Sequence, residues 1–269
     1  MKTVWALSAC LLLATGTEAR DLNTPLRSWA LPKALSEVSG LAVASDDSVF
    51  AHGDEHGVVY EIRLSDGKPV RAFALGTPTV KADFEGIAVD DGRVYLITST
   101  GLIHEADIGA HRERVRFNIY DTGVGAFCEI EGLAVAEGVF LIACKARRDG
   151  GKAGELSVYR WSPQTRSRPD KPWRRLSAAR LLSTAERKAF LPSGIEWDAA
   201  SRRLYILAAK ARAYLTLTAD GRLDRKRVLS HRRHRQAEGI TVMPDGRLVI
   251  ADEGGGIARG RLTVYAAED

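Results

Sequence analysis

Three glutamates stand directly before a glycine, in Glu85-Gly86, Glu131-Gly132 and Glu238-Gly239. Carboxylates brought close together either raise one another's pKa or hold a cation between them. Calcium takes roughly six to eight oxygen ligands, drawn from carboxylates, hydroxyls, main-chain carbonyls and water. Glu85, Glu131 and Glu238 are therefore candidate metal ligands, with calcium the expected ion, if the fold brings them together. The alternative is that each glutamate bonds backbone amides of a neighbouring element and only fastens the structure.

The elements that must position them repeat. The glutamate motifs belong to a set of five, completed by Ser39-Gly40-Leu41-Ala42-Val43 and Ser193-Gly194-Ile195-Glu196-Trp197. Their glycines are 46, 46, 62 and 45 residues apart, a period that marks a repeat architecture. Each motif is followed by a turn, such as Asp90-Asp91-Gly92 or Pro244-Asp245-Gly246, and a second apolar run. Asp-Gly between β-rich runs signals a hairpin. Third strands are expected at Val58–Leu64, Leu102–Ile108, Leu156–Trp161, Ala213–Thr218 and Arg261–Ala266, and fourth strands at Val70–Leu75, Arg114–Tyr120, Ala179–Leu182 and Arg225–Leu229. Four short antiparallel strands per period is a propeller blade. The fold class is thus all-β, a five-bladed β-propeller.

The fifth copy supplies three strands before the sequence ends at Asp269, and Arg27-Ser28-Trp29-Ala30-Leu31 reads like a fourth. The N-terminal strand is therefore expected to close the last blade, which removes the open edges of the ring. The long third interval falls in Gly150–Gly154 and Ser162–Arg175, rich in Gly, Pro and charge, and is read as loop.

Residues 1–19 read as a secretory signal peptide: Lys2, the apolar stretch Val4–Ala14, then Thr17-Glu18-Ala19. That leaves residues 20–269 as one domain, periplasmic or secreted. Leu7-Ser8-Ala9-Cys10 also matches a lipoprotein pattern, though most of the apolar core follows the cysteine. An integral membrane protein is not expected. Export permits a disulfide between Cys128 and Cys144; two separate buried thiols are the alternative.

The chain carries a net charge of +5. Arginines cluster at 166–180 and 222–235, where solvated loops or contacts to polyanions are the competing readings; no specific nucleic-acid partner is expected. Turns between second and third strands open on the face of the three glutamates. They bring Asp54, Glu55 and Glu253 to one side, with His52, His56 and Asp252, and Lys145, Arg147 and Lys210 to the other. These are candidate ligand-binding residues for a small anionic ligand or a protein partner, on a chain expected to be a monomer. No Gly-x-Ser-x-Gly, His-Glu-x-x-His or phosphate-cradling glycine loop occurs. His231 and His234 read as solvated residues of the arginine loop. No catalytic residue is assigned. A metal-dependent esterase or lactonase, with His52 or His56 as base, is the alternative.

The run Glu238-Gly239-Ile240-Thr241-Val242-x-Pro244-Asp245-Gly246-Arg247-Leu248 resembles the last blade of the bacterial SdiA-regulated propeller family. Glu131-Gly132-Leu133 with Leu141–Lys145, Pro192-Ser193-Gly194-Ile195, Asp54-Glu55-x-Gly57 and Asp83–Ile87 are similar to its other blades. The resemblance implies an exported five-bladed propeller, distantly similar to paraoxonase-like propellers, with a calcium site and no established reaction.

Overall fold

In a computed structural model, residues 24–148, 155–177, 182–255 and 258–267 are described. They form the expected ring of five four-stranded antiparallel blades. The signal-peptide segment, the lipoprotein motif and the Gly150–Gly154 loop lie outside the described residues. No helix among the described residues is long and apolar enough to cross a membrane.

The first strand, β1 (Arg27–Ala30), is set aside for the end of the chain. Blade one is β2 (Val38–Ser45), β3 (Ser48–Gly53), β4 (Val58–Arg63) and β5 (Pro69–Leu75). Blade two is β6 (Phe84–Asp90), β7 (Arg93–Thr98) and β8 (Leu102–Asp107), with β10 (Phe117–Asp121) outside them. The short β9 (Arg114–Val115) precedes β10 but joins blade one. Blade three is β11 (Cys128–Ala136), β12 (Val139–Arg147), β13 (Glu155–Trp161) and β14 (Arg174–Ser177). A six-residue helix, α1 (Thr184–Ala189), leads to blade four: β15 (Gly194–Asp198), β16 (Arg203–Ala208), β17 (Ala213–Leu217) and β18 (Leu223–Val228). Blade five is β19 (Ala237–Val242), β20 (Leu248–Asp252), β21 (Arg261–Tyr265) and β1.

Ring closure is therefore as the strand count requires. Arg27 pairs with Val264 and Ala30 with Arg261. Trp29 packs on Gly67 of blade one, so the closing strand also touches the next blade.

Strand alternation sends apolar side chains from each blade toward both of its neighbours. Five buried clusters result, one between each pair of blades: Phe50, Phe73 and Phe84 join blades one and two, and Leu31, Ile62 and Val249 join blades one and five. Each fully buried side chain of this size contributes roughly 1.5–3 kcal/mol. At the hub the inner strands meet backbone to backbone. A Cβ on Gly86 would lie 2.6 Å from the Leu133 nitrogen of blade three, and one on Gly194 would lie 2.6 Å from the Glu238 oxygen of blade five. Only glycine permits that approach.

Two expected strands differ. The run at Arg114–Tyr120 is divided: Arg114 and Val115 pair in parallel with Ala74 and Leu75 of blade one, and only Phe117–Asp121 completes blade two. The buried Val115 belongs to the cluster between these blades, so the division ties them together. In blade three the outer strand is Arg174–Ser177, not Ala179–Leu182, and Leu156 pairs with Leu176. Residues 179–181 lie outside the described residues, and Leu182 plugs the cluster between blades three and four. An outer strand is solvent-facing, so Arg174-Arg175-Leu176 suits it better than an aliphatic run.

Cys128 and Cys144 are buried free thiols. A hydrogen bond with Cys144, and then burial, hold the Cys128 thiol well above its ordinary range.

Candidate functional site at the channel mouth

The inner strands begin at one face of the ring, and the residue before each glycine opens onto it. In four blades that residue sits in a β-bulge: the ladder slips between Val38 and Gly40, Phe84 and Gly86, Ile130 and Leu133, and Ala237 and Gly239. A bulge leaves one residue unpaired and re-aims its side chain. Here it releases Ser39, Glu85, Glu131 and Glu238 from the sheet. In blade four Ser193 precedes the strand and donates its hydroxyl to the Ala237 carbonyl of blade five at 2.8 Å. Ser193 is thus a fastener between blades, Ser39 donates to the Glu37 carbonyl of its own segment at 3.4 Å, and the glutamates are the charged hub positions.

Ser39, Glu85 and Glu238 line a central channel of about 10 Å³ together with the hub glycines. That is room for about one water. The space among the hub residues is narrow, and the wider cleft lies beside it on blade one.

Burial, then the charges of Glu131 and Asp83, raise the Glu85 carboxyl to about 9. Burial, then Glu253 and Glu131, raise Glu238 to about 8. Burial, then Asp54 and Glu37, raise Glu253 to about 7. Glu131, 5% exposed, is also raised by burial, against the pull of Lys145. The Lys145 ammonium lies 2.5 Å from Glu131 and 3.4 Å from Glu129. Burial works against its charge, but these carboxylates outweigh burial and raise its pKa. Lys145 also partly relieves Glu85, Glu238 and Glu253. One ammonium therefore serves a ring of carboxylates from blades two, three and five.

Beside the mouth, blade one forms a cleft of about 240 Å³ lined by Ser36, Glu37, Asp54, Glu55, His56 and Tyr60. Burial is the main cause that raises Asp54. His56 and Glu55 are 3.6 Å apart and both well exposed.

The structure thus gathers Glu85, Glu131, Glu238, Glu253, Asp54 and Lys145 around the mouth, with Glu55 at its blade-one edge. Arg147 is held by Glu155 of its own blade at 3.3 Å, and Lys210 is exposed on blade four. Lys145 and Arg147 are accordingly neutralised from within. His52 is not at the mouth surface: it is wholly buried, with Nδ1 3.0 Å from the Gly53 carbonyl and Nε2 without a hydrogen-bond partner. Burial lowers its pKa to about 4.

His234 is not the solvated loop residue expected from its arginine neighbours. It is 1% exposed, with Nδ1 2.7 Å from Asp252 and Nε2 2.6 Å from the Tyr265 hydroxyl. The arginines around it in sequence are exposed or half-exposed, whereas the turn at Ser230–His234 brings this ring against Asp252 of β20 and Tyr265 of β21.

Glu37, Asp83 and Glu129 were not singled out in the sequence, yet each contributes to the mouth. A signal was present: they and Gln236 stand three residues before the hub glycine in four of the five copies.

The oxygen donors fit calcium in kind. Glu131 is engaged by Lys145, and among the described residues no three His, Cys, Asp or Glu side chains converge as a metal-binding group. The ion would be held by Glu85, Glu131 and Glu238 only in exchange for the ammonium.

Among solved structures, the chain is similar to Myxococcus xanthus glutaminyl cyclase at 15% identity and TM-score 0.56, over 91% of this chain and 97% of that one. It is similar to a Xanthomonas campestris gluconolactonase at 16% identity and TM-score 0.52, over 88% and 89%. Streptogramin B lyase aligns at 14% identity and TM-score 0.50, over 89% and 97%. At such identities the likeness shows the propeller fold alone. No curated protein matches by sequence. The sequence profile of the SdiA-regulated family matches residues 178–265, which hold the hub motifs at Ser193-Gly194 and Glu238-Gly239. In its fourth and fifth blades this five-bladed propeller is thus similar to the SdiA-regulated family.

Proposed function

We propose that the protein is an exported, non-catalytic binding propeller whose channel mouth holds a cation, calcium, and uses it to engage a small anionic ligand or a protein partner. The observation that carries this reading is the excess of half-buried carboxylates over the single ammonium of Lys145. Carboxylates held near 7 to 9 by burial and mutual repulsion are ones that a bound cation relieves. A calcium ion exchanged for Lys145 would supply a positive centre that an anionic group can coordinate. The leader pattern in residues 1–19 supports export, where calcium is plentiful.

Thermal denaturation with calcium and with chelator tests it, since a ligand of the native state raises stability. Calcium is expected to raise the midpoint of the wild type and to have little effect on Glu131→Gln. In Lys145→Met the calcium-dependent shift should be larger, because the competing ammonium is gone. An unchanged wild-type midpoint sinks the metal site. Turnover on an ester and lactone panel, lost in His56→Ala, would overturn the non-catalytic reading.

A further inference from the structure

Charge is divided unevenly along this chain. Residues 155–236 hold twenty Lys and Arg against seven Asp and Glu, a net +13, which leaves a net −8 on the remainder. In the fold this stretch is the outer half of blade three, all of blade four and the link into blade five. The mouth and the cleft in blade one are acidic, so the ring has a basic side and an acidic side.

The basic side is laid out as a stripe. On the mouth face of blade four, Lys188 of α1, Lys210 and Arg212 of the β16–β17 turn, and Arg232 and Arg235 of the β18–β19 link are exposed. None of these five is in an ion pair among the described residues. A hydrogen bond from the Leu229 amide to the Arg212 carbonyl, at 2.8 Å, draws the turn and the link together. From there β18 carries Arg225, Lys226 and Arg227 along the rim, a distance of about 20 Å for six residues of strand. On the opposite face Arg222 and Lys171 continue it, both exposed. Two acids lie within the stripe on β18 and its turn: Asp224 holds Arg203 at 3.0 Å and lies 3.7 Å from Arg225, and Asp220 holds Arg222 at 2.7 Å, so the exposed charge rests chiefly on the five residues of the mouth face.

We propose that this stripe binds a linear acidic polysaccharide laid over the rim of blade four. The layout selects among polyanions. A stripe that passes from one face over an edge to the other follows a chain, whereas a lipid surface is planar and meets one face only. Single-stranded nucleic acid needs open aromatic faces on which to stack its bases. Trp173, beside the outer strand of blade three, is covered by Arg174 at 4.1 Å and Arg160 at 5.4 Å. Phe190, Tyr205 and Tyr214 are buried, and Trp197 packs on the cluster between blades three and four. Arginine forks match carboxylate and sulfate groups with paired hydrogen bonds. The surface is separate from the channel mouth and does not depend on a metal there.

The test is binding of the purified protein to immobilised polygalacturonate and heparin at low and high salt, with neutral dextran as blank. The variants are Lys210→Glu/Arg212→Glu/Arg232→Glu/Arg235→Glu on blade four and, as a control of equal kind, Lys33→Glu/Arg112→Glu on blades one and two. Both sets substitute exposed residues, and an unchanged thermal midpoint certifies their folding. The expected result is salt-sensitive binding to both acidic polymers, weakened at least about tenfold in the blade-four variant and within about twofold of wild type in the control. Failure to bind either polymer, equal binding to dextran, or equal loss in both variants overturns the proposal. Tighter binding to phosphatidylglycerol vesicles or to oligo(dT) than to the polysaccharides overturns it as well.

Discussion

Replacing Lys145 by methionine removes the ammonium that pairs with Glu131 and Glu129 and keeps most of its packing volume. At 2.5 Å from Glu131, a pair at an effective dielectric of about 20 attracts by roughly 6–7 kcal/mol before desolvation. Desolvation of both groups offsets much of this, and breaking a buried pair costs about 3–5 kcal/mol because a charge is left uncompensated. The Lys145 side chain is 35% exposed and Glu131 6%, so solvent screens one partner, and the expected loss falls to about 2–3 kcal/mol. Urea denaturation at pH 8 with chelator present, followed by tryptophan fluorescence, measures it. The Lys145→Met/Glu131→Gln double variant should recover most of the loss, since it leaves no lone charge in that pair. A single-variant loss under about 0.5 kcal/mol, or a double variant no better than the single, would refute the claim that Lys145 holds the carboxylates together.

Three further outcomes are expected. His52 is neutral in the fold, with its pKa lowered from 6.5 to about 4; below pH 6.5 the unfolded histidine takes up a proton that the folded one refuses. Its contribution is therefore fully present above about 6.5 and is lost as pH falls toward 4, by about 3 kcal/mol. His52→Leu should flatten that limb of a urea-midpoint profile, and an identical limb would disprove the assignment. Asp252→Asn removes the charged partner of His234 and should lower stability by about 1.5–3 kcal/mol, read from the thermal midpoint; an unchanged midpoint contradicts it. Gly86→Ala places a Cβ 2.6 Å from the Leu133 nitrogen, where backbone cannot yield. It should cost about 2–3 kcal/mol, or roughly 4–12 °C in Tm, and a Tm equal to wild type would refute backbone-to-backbone packing at the hub.

The fold was legible because its unit repeats. Five motifs, each with its turn and second strand, leave little freedom once the first strand is assigned to the last blade. The candidate site was legible in part, for the same reason: Glu85, Glu131 and Glu238 share a repeat position, and a shared position becomes a shared place on the axis. Lys145 as their counter-ion was harder to see. Its role depends on two slips of the ladder between Glu129 and Leu133, and slips of one residue have no mark in composition. His234 was misread because its neighbours in sequence are arginines, while its neighbours in space are Asp252 and Tyr265 from two other strands. The outer strand of blade three was misplaced because an aliphatic run looked more strand-like than Arg174-Arg175. In an outermost strand with one wet face, that preference reverses.

The closing pair of strands also dictates how the molecule comes apart. Ser28 and Thr263 are neighbours although 235 residues separate them in sequence, and Arg27 pairs with the still more distant Val264, so the seam holds the most non-local strand pairing in the ring. Blades one to four can stack as each is completed, whereas Arg27–Ala30 must wait until β21 exists, which makes the seam a late and slow event in folding. The two strands run antiparallel, with Arg27 opposite Val264, and both termini leave from that same end. Tension between the termini therefore loads the hydrogen bonds of the seam one after another, like a zipper, and not all together in shear. The ring is mechanically weakest where it is topologically closed.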